Sequence, residues 1–193
     1  MIVVGVGVGP KMLTQEAIEA ISNAPAVYGS RRGIEIAQKY IECEAQPIKS
    51  FKNLHLLPED AVILSTGDPM FSGLGKFAGE NDHIITGISS IQASCAKFHV
   101  GLSNLAMITA HGRDPEPAKE EMIRELELGK NIFLLPADGL GPQEIASILK
   151  KMDIDAKICI YEDIGYPYER AVVGSVANPP LNKSDMYCMM VVR

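Results

Sequence analysis

Short β-branched runs alternate with stretches of helical period through the first half of the chain, a pattern that predicts a parallel α/β sheet. Strands are expected near Ile2–Val6, Ala26–Tyr28, Ala61–Ser65 and His83–Thr86. Between the first two, Thr14 is placed to cap a helix whose Ala17, Ile18 and Ile21 form one apolar stripe, with Glu16 at the positive end of its dipole and Pro25 beyond its end. Ser30 opens a second helix through about Tyr40, while Gly73 to Gly79 leaves room only for a short one.

The pattern changes after Gly101-Leu102-Ser103-Asn104. Leu105–Thr109 reads as a strand, and Asp114-Pro115 gives an N-cap followed by proline at the first helical position, ahead of a helix buried through Met122, Ile123 and Leu126. Asn131–Leu135 is a buried strand. Pro142 opens a helix in which Ile145, Ile148, Leu149 and Met152 recur on one face, the strongest helical signal in the chain. Ala156–Tyr161, Arg170–Ser175 and Met186–Val192 follow as strands with few helices to connect them, so antiparallel pairs are expected. The expectation is an α/β protein of two domains, 1–103 with a mostly parallel sheet and 104–193 with a mixed one.

With 193 residues, 47% of them hydrophobic, the chain has material for a substantial core. Its longest apolar runs fall well short of the ~20 residues that span a bilayer, and Met1-Ile2-Val3-Val4 lacks the basic start of a secretory signal. No membrane partner and a cytoplasmic location are therefore expected. Cys43, Cys95, Cys159 and Cys188 lie far apart, and His55, His83, His99 and His111 are equally scattered, so no protein-bound metal is expected. A net charge of -6 lacks the basic footprint of a nucleic-acid binder. An acidic protein can still hold an anionic small molecule where arginines converge, which singles out Arg31, Arg32, Arg113 and Arg170.

Five segments carry candidate chemistry. Gly5-Val6-Gly7-Val8-Gly9-Pro10 follows the first strand, where glycines permit either a tight turn or close approach to a ligand. It fails the dinucleotide spacing in both registers and has no phosphate-loop Gly-Lys-Ser/Thr. Ser65-Thr66-Gly67-Asp68-Pro69-Met70-Phe71-Ser72-Gly73 sits at the carboxyl end of an apolar strand, where open α/β sheets bind ligands; by itself it also reads as a structural turn. In Gly87-Ile88-Ser89-Ser90-Ile91-Gln92, Ser89 and Gln92 have capping-box spacing, and such a helix start also suits a ligand hydroxyl or carboxylate. His111-Gly112-Arg113 exposes an arginine at a strand end. Tyr161-Glu162-Asp163-Ile164-Gly165 with Glu169-Arg170 offers paired acids, for proton chemistry or for local ion pairs.

The order of these segments is more specific than any one of them. Together they resemble the tetrapyrrole (corrin and porphyrin) methylases over essentially the whole chain, and Tyr28-Gly29-Ser30-Arg31-Arg32, His111-Gly112-Arg113 and the Tyr161 to Arg170 segment look most like the cobalt-precorrin-7 (C5)-methyltransferase branch. One departure is Ser65-Thr66-Gly67-Asp68, where that branch more often has Ser-Gly-Asp. The resemblance implies two α/β domains with a cleft between them, S-adenosylmethionine folded into the cleft as methyl donor, and usually a homodimer. By position, the cofactor contacts would be Val8, Asp68, Phe71, Ser90 and Ile91, with Leu135, Pro136 and Ala137 from the second domain. Gly5, Gly7 and Gly9 would face the tetrapyrrole, and Arg31, Arg32, Arg113 and Arg170 its carboxylate arms. The related C15 methylation and decarboxylation are expected in a further domain or a separate protein.

A sulfonium methyl is already activated, so transfer to a ring carbon needs alignment and exclusion of water more than a strong acid or base. Glu162 and His111 are the candidates for accepting a proton or polarising the ring. Asp68 is expected to serve the cofactor with little effect on apoprotein stability. Competing readings are a family member acting on another precorrin carbon or on a non-tetrapyrrole substrate such as a modified histidine, a nicotinamide-dependent oxidoreductase, and a non-catalytic module that binds S-adenosylmethionine or a corrinoid.

Overall fold

A computed structural model describes residues 1–48 and 50–193, with Lys52 described by its backbone alone. The first half forms β1 (Ile2–Gly5), α1 (Gln15–Ser22), β2 (Val27–Gly29), α2 (Arg31–Ala37), β3 (Ala45–Pro47), β4 (Val62–Ser65) and β5 (His83–Ile85). Its strands make an all-parallel sheet in the order β3-β2-β4-β1-β5. Strands covered on both faces read as continuous apolar runs, as Val3-Val4 and Val62 to Leu64 do. The connection leaving β1 runs towards β2, whereas the one leaving β4 runs the opposite way to β5. Such a reversal between neighbouring strands places a ligand-binding edge at their carboxyl ends.

Local chemistry sets the helix starts. The Thr14 hydroxyl accepts from the Ala17 N–H at 3.1 Å, and the Ser30 hydroxyl from the Gly33 N–H at 3.0 Å. The helix expected to reach Tyr40 tightens into a 3-10 turn over Gln38–Tyr40, and Gly73 to Gly79 yields only a 3-10 turn at Leu74–Phe77. Strand β3 has no sequence signal: it is short, largely exposed and ends on a proline, as an edge strand tolerates.

The second half comprises α3 (Ser90–Phe98), β6 (Leu105–Thr109), α4 (Pro115–Glu127), β7 (Asn131–Leu135), α5 (Pro142–Lys151), β8 (Lys157–Glu162), β9 (Arg170–Ser175) and β10 (Tyr187–Val192). The sheet order is β6-β7-β10-β8-β9, with β6 and β7 parallel and the other pairs antiparallel, so it is mixed as expected. Met122 and Leu126 of α4 and Ile145 and Leu149 of α5 pack on Ile132, Leu134, Ile158 and Ile160 of the sheet, all essentially inaccessible. Asp114 caps α4, its carboxylate accepting from the Glu116 N–H at 3.2 Å, and Pro115 takes the first helical position.

The chain divides into two compact units, Met1–Ser90 and Ile91–Arg193. The division falls earlier than the change of pattern near residue 103 because α3 is bound into the second unit. Ser94 Oγ lies 3.2 Å from Cys188 Sγ, the Phe98 ring meets the edge of Tyr161 at 5.9 Å, and Lys97 pairs with Glu169 at 3.1 Å. Among the described residues, no helix is long and apolar enough to cross a membrane.

Candidate cofactor and substrate sites

In the first unit, the loops leaving β1, β4 and β5 are knitted together at the carboxyl edge of the sheet. Gly7, at φ +78, bridges Gly67, whose N–H donates to the Gly7 carbonyl at 2.8 Å. A Cβ on Gly5 would lie 2.5 Å from the Gly87 nitrogen, and one on Gly87 would lie 2.2 Å from the Gly67 oxygen. Backbone fills the space a side chain would need. Gly5 and Gly7, both buried, are therefore accounted for by loop packing and, for Gly7, by its positive φ.

Asp68 locks the same loops. One carboxylate oxygen accepts from the Met70 N–H at 2.8 Å and the other from the Gly87 N–H at 3.0 Å. Both oxygens hold backbone donors, which argues against the expectation that Asp68 bears little on the apoprotein's stability. Ser65, which sequence reasoning did not single out, is 1% exposed and accepts from the Leu74 N–H at 3.1 Å. Val8 is held from both sides: its N–H donates to the Ile88 carbonyl at 2.9 Å, and its carbonyl accepts from the Arg32 guanidinium. That contact gives Arg32, expected on the substrate, a loop-fastening role. Arg31 is exposed at the start of α2. Phe71 is half-buried, its N–H donating to the Asp68 carbonyl; Ser90 and Ile91 form the first turn of α3.

In the second unit, a cavity of about 730 Å³ is lined by His111, Gly112 and Arg113 after β6, by Leu135, Pro136 and Ala137 after β7, and by Asp185 and Tyr187 leading into β10. Gly112, at φ +69, allows the chain to turn so that the Arg113 N–H reaches the Ala110 carbonyl at 3.0 Å. The structure thus places Arg113 and His111, expected to serve the substrate, beside residues expected to serve the cofactor. The lining also carries Asp114 and Asp138, so with Asp185 three carboxylates share it with the Arg113 guanidinium.

Glu162 and Arg170 are absent from the described lining of that cavity. Glu162 is 1% exposed, and both of its oxygens are used: Arg170 donates to one, the Lys183 and Ser184 N–H groups to the other. Burial pushes its carboxyl up, but the Lys183 N–H, Arg170 and the Ser184 N–H outweigh this and hold it below the ordinary carboxylate range. A carboxylate so committed is a weak base, which argues against the proton-accepting role expected of it. What Glu162 holds is the segment leading to Asp185 and Tyr187. Sequence reasoning missed those two residues, because their place depends on β10 pairing Tyr187 with Glu162. Among the described residues, no cluster of three or more His, Cys, Asp or Glu is placed to hold a metal ion.

The model of the family described as Tetrapyrrole (Corrin/Porphyrin) Methylases matches residues 1–180. The chain belongs to the tetrapyrrole methylases. As a tetrapyrrole methylase it is an S-adenosylmethionine-dependent methyltransferase. It is 31% identical over 189 residues, covering 90% of this chain and 88% of the other, to a probable cobalt-precorrin-7 C(5)-methyltransferase of Methanocaldococcus jannaschii. The crystal structure of a cobalamin biosynthesis precorrin-6Y methylase from Archaeoglobus fulgidus superposes with a TM-score of 0.73 at 27% identity, covering 100% of this chain and 97% of that one. The uroporphyrin-III C-methyltransferase of Thermus thermophilus, complexed with S-adenosylhomocysteine, shares the fold of this methylase at a TM-score of 0.71 and 21% identity, covering 99% and 91% of the two chains.

The cavity of the second unit suits that cofactor. Its volume falls in the range of about 300–1,000 Å³ typical of small-molecule sites. Its lining carries carboxylates, which would complement a sulfonium or an ammonium, and Arg113, which would complement a carboxylate.

Proposed function

We propose that this tetrapyrrole methylase transfers the methyl group of S-adenosylmethionine to C5 of cobalt-precorrin-7 in cobalamin biosynthesis. The observation that carries the reading is the match to the M. jannaschii protein over nearly the full length of both chains, which accords with the branch-like segments at Tyr28, His111 and Tyr161. Val8, Asp68, Phe71, Ser90, Ile91, Leu135, Pro136 and Ala137 are the proposed cofactor contacts, joined by Arg113.

The cofactor supplies an activated methyl on sulfur. The protein's part is to orient it and exclude water, for which rigid loops serve better than a strong base. Glu162 contributes by fixing the Asp185 to Tyr187 wall; His111, exposed beside the cavity, is the remaining candidate for polarising the ring. We further propose a cytoplasmic homodimer, with C15 methylation and decarboxylation carried out elsewhere.

The test is turnover with methyl-labelled S-adenosylmethionine and cobalt-precorrin-7, the labelled carbon being located by NMR. Label at C5 is expected. Label at another ring carbon assigns the protein to a different step, and no transfer to any precorrin removes the reading.

A further inference from the structure

A second cavity, of about 320 Å³, opens at the carboxyl edge of the first sheet. The rings of Phe51 and Phe77 form part of its wall, Ser30, Ser65 and Thr66 bring hydroxyls, and Lys76 is the cation among its described lining residues. Among the described residues lining it there is no carboxylate, although the chain as a whole carries a net charge of -6. The larger cavity, by contrast, holds three acids.

The hydroxyls are set up to donate. Ser65 accepts from the Leu74 N–H and Ser30 from the Gly33 N–H, which uses a lone pair on each and leaves its own O–H proton to give. Ser65 is 1% exposed, and a buried hydroxyl proton is stabilised by an acceptor. The Lys76 ammonium stands 5.0 Å from the centroid of the Phe77 ring, which orients it without neutralising it. The volume is near the lower limit for ligand sites and fits a short side arm rather than a macrocycle.

The arginines that the sequence offered for substrate carboxylates are largely engaged elsewhere. Arg32 fastens Val8, Arg170 is paired with Glu162, and Arg113 lines the larger cavity, while Arg31 is exposed at the start of α2. A substrate rich in carboxylates needs a counter-charge at this acidic protein.

We propose that the smaller cavity is a subsite for one carboxylate-bearing arm of the substrate. Lys76 counters its charge, Ser30, Ser65 and Thr66 donate hydrogen bonds to it, and Phe51 and Phe77 cover its methylenes. The assignment rests on the tetrapyrrole reading of the function.

The test is calorimetry on the full chain loaded with S-adenosylhomocysteine, titrated with cobyrinic acid and separately with its fully esterified form. Lys76→Gln is expected to weaken the acid by about tenfold, the worth of one charge-assisted contact, while the ester and S-adenosylhomocysteine bind as before. Lys76→Arg should restore the acid's binding, and thermal unfolding of the variants should match the parent, since Lys76 is exposed. If Lys76→Gln leaves the acid's affinity unchanged, or weakens acid and ester equally, the subsite is overturned while the functional reading stands. If the unaltered protein binds S-adenosylhomocysteine but neither corrinoid, the functional reading and the subsite fall together.

Discussion

Arg170 of β9 lies directly across the ladder from Glu162 of β8 and donates to its buried carboxylate. The same guanidinium reaches the Leu181 carbonyl at 3.1 Å, so one cross-strand pair gathers the chain that leads to Asp185 and Tyr187. Removing one partner of such a pair leaves a charge buried and short of a donor. Arg170→Ala should therefore lower stability by about 3 kcal/mol, at the low end for a broken buried pair because Arg170 is 30% exposed. Urea unfolding of the apoprotein measures this. S-adenosylhomocysteine affinity should fall with it, because the cavity wall loses its anchor; unchanged affinity would detach the clamp from the site.

Acid should unfold the protein through these carboxylates. In Glu162 and Glu169 burial raises the carboxyl, but hydrogen bonds from Lys183 N–H, Arg170 and Ser184 N–H in one case, and from Gly165 N–H, Tyr161 and Lys97 in the other, bring it below its ordinary 4.5. The unfolded chain then binds protons at a higher pH than the folded one. Their contribution is fully present above the unfolded value and is lost as pH falls through the folded value. Urea midpoints should hold steady down to about pH 5 and drop below it, and Glu162→Gln should flatten part of that drop.

Asp68→Ala should destabilise the apoprotein by about 1–3 kcal/mol, since it leaves the part-buried Gly87 N–H without its acceptor and gives the exposed Met70 N–H over to water. Asp68→Asn keeps one acceptor and should lose less. Thermal unfolding without cofactor separates the two; an unchanged melting temperature for the alanine variant would return Asp68 to a purely cofactor-binding role.

Two glycine substitutions should differ sharply. Gly87→Ala forces a methyl to 2.2 Å from the Gly67 oxygen, where only backbone can move, and should yield little folded protein. Gly112→Ala meets nothing within 4 Å and pays only for φ +69, about 1–2 kcal/mol. Soluble yield and urea midpoints make the comparison.

Arg113→Ala should weaken S-adenosylhomocysteine by about tenfold, the loss of one charge-assisted contact to a carboxylate, because Arg113 shares a cavity with Leu135, Pro136 and Ala137. Calorimetry giving parental affinity would move Arg113 back to the substrate.

Local physics wrote much of this protein in its sequence. Thr14, Ser30 and Asp114 start helices through hydrogen bonds that span only two or three residues, and the strands Leu105–Thr109, Asn131–Leu135 and Arg170–Ser175 are bounded where their apolar and β-branched runs are. The order of the glycine, Gly-Asp-Pro and His-Gly-Arg segments likewise carried the family, because their spacing follows the succession of strands. Long-range pairing was not written that way. That Tyr187 falls opposite Glu162, that Asp68 reaches Gly87, and that α3 joins the second unit through Cys188 and Tyr161 depend on residues 19 to 94 positions apart meeting in space. A motif names residues that chemistry can use; only the packed sheet decides which of them still have a hydrogen bond to give. Glu162 has both oxygens occupied, whereas Lys76, which no motif marked, opens on a cavity with no acid among its described lining residues.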